Sequence, residues 1–272
     1  MTETQKIIKY FAMAFAIFLI IGIIGGILAS LSFASYVFTD KETVVVSSDL
    51  NDYSVKDVDR LYLDLQAADL EIKSGSDFSL QSNHEYLKVD ESSDSLRIEE
   101  IKRPYKINDN VYKVVLTVPQ SKTFDSVVIE TGAGKLVLDG FTTKSMKLTL
   151  GAGAVALNNV TVTDNTDFEG GAGEITITDC TFAELDMKIG VGACNLTATL
   201  LGDSEIDCGV GEANFKLIRT PAIDYSVQVE KALGDVTVDG RKIKNEETIG
   251  FGENEVEINC GIGEVDVEFV ER

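Results

Sequence analysis

The sequence predicts an all-β protein: a parallel β-solenoid, or β-helix, with coils of about 19–20 residues, preceded by one N-terminal transmembrane helix. Three observations carry this expectation. A glycine-pair phrase recurs at a near-constant step. The residues around it alternate between apolar and polar with the period of a strand. A long uncharged apolar run lies near the start of the chain.

The phrase reads TGAGKLVL from Thr131, LGAGAVAL from Leu150, GGAGEITI from Gly170, IGVGACNL from Ile189, CGVGEANF from Cys208 and CGIGEVDV from Cys260. The first glycines Gly132, Gly151, Gly171, Gly190 and Gly209 are 19, 20, 19 and 19 residues apart. LGDVTV from Leu233 is a weaker copy, and LQAADLEI from Leu65 is an early one without the glycines. A fixed period near 20 marks a repeat architecture, in which each unit buries its apolar face only against its neighbours. A phosphate-cradling loop would occur once per site and open a helix. Here strand-period alternation follows each glycine pair, so a nucleotide site is set aside. A calcium-binding β-roll is set aside too, because GGAGEITIT carries Ile175 where that motif needs aspartate.

Columns emerge when the copies are aligned. Three residues before the first glycine stand Ile129, Leu148, Phe168, Met187, Ile206 and Ile258. The next position holds Glu130, Thr149, Glu169, Lys188, Asp207 and Asn259. One column faces in and its neighbour out. After the glycines come apolar columns at Leu136/Leu138, Val155/Leu157, Ile175/Ile177, Cys194/Leu196, Ala213/Phe215 and Val265/Val267. The expected coil has two strands joined at a glycine corner, where the chain turns close to the coil beside it. The residue between the glycines (Ala133, Ala152, Ala172, Val191, Val210, Ile262) is expected to point inward.

Residues 1–9 read as a short cytoplasmic N-terminus and 10–38 as a transmembrane signal anchor. No charge occurs between Lys9 and Asp40, and Tyr10 to Phe33 is long enough to cross a hydrocarbon core of about 30 Å. Lys6 and Lys9 before it place the N-terminus inside and the large domain outside a cell membrane crossed once. A cleaved signal peptide is the competing reading, but its apolar core would be shorter. Gly22, Gly26, Ser30 and Ala34 form a small-residue stripe suited to pairing with another membrane helix. Residues 39–55 read as a polar linker.

The solenoid is expected over 56–272: irregular first coils at 56–124, regular coils at 125–220, and terminal coils with a hairpin insertion at 221–272. The single histidine, His84, falls in the loop-like stretch SNHEYL and is expected to be solvated. Asp239-Gly240 between two strand-like runs predicts a type I′ hairpin.

Only Glu3, Lys6 and Lys9 are charged before Asp40, and they sum to +1, so of the net −21 the remainder carries −22. Such a surface repels nucleic acid and anionic headgroups and attracts cations or cationic peptides. The four cysteines, Cys180, Cys194, Cys208 and Cys260, lack metal-site spacing. They are expected as reduced, core-facing thiols. With LGDVTV read as a coil between them, Cys208 and Cys260 are expected two coil steps apart.

The apolar N-terminal segment, the glycine-pair strand repeats, the hairpin insertion and the closing CGIGEVDVEF together resemble the bacterial putative-adhesin family of β-strand-repeat proteins, a domain of unknown function. The resemblance covers roughly Leu61 to Phe269. It implies a β-helix-like fold at the bacterial cell envelope, in the company of envelope-stress and antimicrobial-response systems. It brings no catalytic motif, so no residue inherits a catalytic, cofactor or metal role.

The expected function is therefore that of a non-enzymatic, membrane-anchored envelope protein presenting an acidic solenoid for binding or adhesion. One alternative is a sensor or decoy for cationic antimicrobial peptides. The other is a carbohydrate-active β-helix enzyme drawing a carboxylate pair from Asp139, Asp164, Asp167, Asp179 and Asp186.

Overall fold

A computed structural model describes residues 50–101 and 112–272. The expected transmembrane segment, its Gly22, Gly26, Ser30, Ala34 stripe and most of the linker lie outside the described residues.

The N-terminal part contains β1 (Asn51–Tyr53), β2 (Arg60–Ala67), β3 (Asp69–Gly75), β4 (Ser79–Ser82), β5 (Leu87–Glu91), β6 (Ser95–Glu100) and β7 (Lys113–Pro119). Long strands follow: β8 (Thr123–Asp139), β9 (Thr142–Asn158), β10 (Thr161–Ala183), β11 (Leu185–Leu201) and β12 (Ser204–Arg219). The C-terminal part holds β13 (Tyr225–Lys231), β14 (Asp235–Val238), β15 (Arg241–Lys242), β16 (Glu247–Gly250) and β17 (Asn254–Glu271). From β8 to β12 each strand pairs in parallel with the next in sequence, and the glycine phrases fall in register. The described residues thus form an all-β, mostly parallel stack of coils.

The expected pair of strands per coil is instead one continuous strand, bent at its glycines. The second glycine of each pair makes the bend, with φ from 141° at Gly134 to 147° at Gly173. A side chain is strained there. A Cβ on Gly173 would also overlap the Gly153 carbonyl oxygen of the coil beside it. The glycines are structural, as their spacing implies.

The interior columns match the alignment. Leu63, Ile129, Leu148, Phe168, Met187, Ile206, Ile258 and Val229 are successive register partners, all buried. A second column runs through Ile72, Leu138, Leu157, Ile177, Leu196, Phe215, Val267 and Val238. In-register stacking of like residues about 4.8 Å apart buries both columns in one core.

Both ends of the stack depart from chain order. At one end β2 and β3 lie against β8, and β6 and β7 pair outside them. At the other, β17 inserts between β12 and the outer β13 and β14. Antiparallel strands then close each end: β5 on β6, β4 on β7 and β1 on β4, and opposite them β16 on β13 and β15 on β14. These closures occupy edges that would otherwise template pairing with another chain. The β14–β15 hairpin has positive φ at both Asp239 (48°) and Gly240 (71°), as a type I′ turn requires.

Insertion of β17 corrects the expected cysteine spacing. Cys208 and Cys260 are direct register partners, and LGDVTV stacks on the far side of β17. His84 is also corrected. It is 1% exposed, its ring stacks on Tyr112 at 4.2 Å between centroids, and its Nε2 lies 3.6 Å from a Glu100 carboxylate oxygen.

Candidate interaction surface

The glycine corner carries a feature opposite to expectation. The residue between the glycines points outward. Ala133 and Ala152 are exposed, Ala172 and Val191 half-buried, Val210 37% exposed and Ile262 52% exposed. Alternation explains the error. Leu148 and Leu150 face in before the corner, and Val155 and Leu157 face in after it. Four residues intervene between Leu150 and Val155, which strict alternation cannot accommodate. The bend at the second glycine resets the phase, and the middle residue is left outside.

The terminal coil extends this column. Lys231 pairs with Cys260, Asp235 with Glu264, and the Leu233 N–H donates to the Gly261 carbonyl at 2.9 Å. That register sets Leu233, 81% exposed, beside Ile262. The ridge therefore reads Ala133, Ala152, Ala172, Val191, Val210, Ile262, Leu233 in spatial order, one residue per coil. Its side chains grow in one direction, away from the edge where β1 begins the stack.

Acidic columns flank the larger end. On the β-face before the corner run Asp186, Glu205 and Glu257, with Lys188, Asp207, Asn259 and Glu230 beside them. After the corner come Glu212, Glu264 and Asp235. Repulsion from Asp207, helped by partial burial and by Glu257 and Asp186, holds the Glu205 carboxyl above its ordinary value. Asn259 Nδ2 donates to Asp207 at 2.8 Å, and Lys188 pairs with Asp186 at 2.9 Å. At the alanine end, the corresponding positions hold the bases Lys135 and Lys147 beside the acids Glu130, Asp167, Glu169 and Glu174.

The aspartates considered for carbohydrate chemistry are dispersed. Asp167 and Asp186 are outward register partners, held by Lys147 at 2.7 Å and Lys188 at 2.9 Å. Asp139 ends β8 and Asp179 lies in β10 at a turn with φ 53°. Asp164 is exposed at another bend of β10. A cavity of about 20 Å³ lies at the corner, lined by Leu150, Ile175 and Ile189 and by Ala152, Ala172 and Val191 of the ridge. It has room for about one water molecule. Among the described residues, no group of three His, Cys, Asp or Glu side chains converges on a metal position.

All four cysteines are free; Cys180, Cys194 and Cys260 are buried and Cys208 half-buried. Burial pushes the Cys180 thiol up to about 11. It pushes Cys208 up to about 12, with the nearby Cys260 and Asp207 adding to the shift.

The family model described as Toastrack DUF4097 matches residues 58–251. No curated protein matches the chain. Similar solved structures include a "putative cell adhesion protein" from Clostridium sporogenes, 14% identical, covering 82% of this chain and 98% of that one at a TM-score of 0.39. A "putative adhesin" from Bacteroides fragilis is 14% identical, covering 81% and 98% at 0.36. A "putative lipid binding protein" from Parabacteroides distasonis is 14% identical, covering 82% and 93% at 0.33.

Proposed function

Since the chain belongs to the Toastrack DUF4097 family, whose β-strand repeats its own phrases resemble, we propose that it is a non-enzymatic binding or adhesion protein of the bacterial cell envelope. In this reading residues 10–38 anchor it in the cell membrane, Lys6 and Lys9 keep the N-terminus cytoplasmic, and the acidic stack faces outward. The Gly22, Gly26, Ser30, Ala34 stripe pairs the anchor with another membrane helix. An envelope-stress role fits the same placement.

The observation that carries the binding role is the outward ridge at the glycine corner. A stack this regular fixes its surface columns at set spacing, and the ridge presents apolar side chains that the interior does not use. Protease added to intact, wall-stripped cells tests the placement: the domain should be digested, and its full protection would overturn it. Incubation of the protein with wall polysaccharides tests the chemistry: new reducing or unsaturated ends would make the carbohydrate-active reading the correct one.

A further inference from the structure

We infer that the larger end of the corner ridge, Val191, Val210, Ile262 and Leu233, is a docking site for a cationic amphipathic peptide segment. The fold does not require these side chains. Three coils make the same bend with alanine in the same position, at Ala133, Ala152 and Ala172. Valine, isoleucine and leucine take the remaining rungs, Val191 half-buried but Val210 exposed by 37%, Ile262 by 52% and Leu233 by 81%. An exposed apolar line of this kind, rimmed by polar residues, marks an interaction surface.

Charge selects the occupant. The Val210, Ile262 and Leu233 rungs are flanked on one side by Asp207, Glu230 and Glu257 and on the other by Glu212, Glu264 and Asp235. Acids already flank the corner at Ala172, through Asp167, Glu169 and Glu174, so charge alone does not mark the larger end; large apolar side chains and acids coincide at Val210, Ile262 and Leu233. A second copy of this chain would bring acid against acid, and an anionic lipid surface would be repelled. A basic partner relieves the crowding that holds the Glu205 carboxyl above its ordinary value. Geometry favours a helical partner. Four rungs at about 4.8 Å span about 14 Å. A helix advances about 5.4 Å per turn, so residues at i, i+3 or i+4 and i+7 on one face meet the rungs in turn. Lysine or arginine beside that stripe then meets the acidic columns. The inference deepens the envelope-binding reading and rests on it for where the partner is met.

The test uses the full chain in nanodiscs of zwitterionic lipid and a fluorescent peptide of about fourteen residues, which as a helix spans about 21 Å and so overlaps all four rungs. The peptide contains only leucine and lysine, with the leucines on one helical face. A scrambled peptide of the same composition and the leucine/glutamate counterpart serve as comparisons, with empty nanodiscs as background. The ordered cationic peptide should bind at least about tenfold more tightly than the scrambled one, and more weakly as salt rises. The double variant Leu233→Ser, Ile262→Ser should lose about tenfold in affinity, and Ala133→Ser should change it less than about twofold. Equal binding of the scrambled peptide would reduce the effect to charge and overturn the inference. So would an unchanged double variant that keeps the wild-type melting temperature, or binding of the glutamate peptide. Wild-type dimers that the double variant abolishes would make a second copy the occupant instead. The protease test reads placement and this one reads the ridge, so either can fail while the other holds.

Discussion

Cys208 and Cys260 stand opposite each other in one parallel ladder, with Ile189 on the outer side of Cys208 and Lys231 on that of Cys260. Their Cα atoms are therefore one strand spacing apart, about 4.8 Å, inside the range a disulfide spans. In-register parallel side chains keep their Cβ atoms near that same spacing, whereas a disulfide draws them to about 3.8 Å. Bridging would pinch β12 and β17 together locally and strain the flanking ladder hydrogen bonds. Thiol labelling of the denatured protein without reductant should find four free cysteines, and labelling of the native protein should be slow. A count of two would show that the ladder yields to form the bridge.

The raised thiols also set an alkaline limit. Cys180 and Cys208 bind their protons more tightly folded than unfolded. Between the ordinary thiol value near 9 and the folded values of about 11 and 12, the unfolded chain ionises first. Stability from these groups is complete below about pH 9 and declines as pH rises toward 12. Urea midpoints measured between pH 8 and pH 11 should fall, and Cys180→Ala should flatten the slope. A midpoint independent of pH across that range would refute the burial argument.

Phe168 lies between Leu148 and Met187 in the interior column, and Glu169 beside it faces water. Phe168→Ala should cost about 3–5 kcal/mol. Glu169→Ala should stay within about 0.5 kcal/mol. Urea midpoints of the two variants check the contrast, which also predicts that Met187→Ala is worse than Lys188→Ala.

Gly173 and Gly240 separate two costs of adding a methyl group. Both have positive φ, but a Cβ at Gly240 meets nothing within 4 Å, whereas one at Gly173 runs into the Gly153 carbonyl. Gly240→Ala should cost about 1–2 kcal/mol from the backbone conformation alone. Gly173→Ala should cost clearly more and loosen the β9–β10 pairing, visible as faster amide exchange there. Equal losses would mean the coils spread apart freely.

Glu205 predicts a small gain. Its carboxyl is held above the ordinary value chiefly by Asp207, so at neutral pH its charge opposes folding. Removing it with Glu205→Gln should raise stability by less than about 0.5 kcal/mol. The gain should shrink as salt screens the repulsion and vanish at pH below the ordinary carboxylate range. Thermal melts at two salt concentrations measure it.

Much of this was legible because an in-register parallel stack repeats its own constraints. Ile129, Leu148, Phe168, Met187 and Ile206 are recognisable as one column without any knowledge of the coil's shape. The direction of Ala152 or Ile262 was not, because it depends on a single backbone angle at the following glycine that breaks the alternation. The placement of β17 was hidden by chain order, although a signal existed: CGVGEANF and CGIGEVDV share more with each other than either shares with LGDVTV. His84 was misread because its polar neighbours Asn83 and Glu85 make the segment look like an exposed loop, while Tyr112 and Glu100, which enclose it, are remote in sequence.

Insertion of β17 between β12 and β13 has a consequence for how the protein is made. A sequential stack could grow rung by rung from its N-terminal end, each new coil docking on the last. Here β13 and β14 emerge before the surface they rest on, and they must wait for the final residues of the chain. Stop codons within Asn254–Glu271 would therefore leave a slot in the stack rather than a shorter one, with β12 and β13 both offering unpaired edges to other chains.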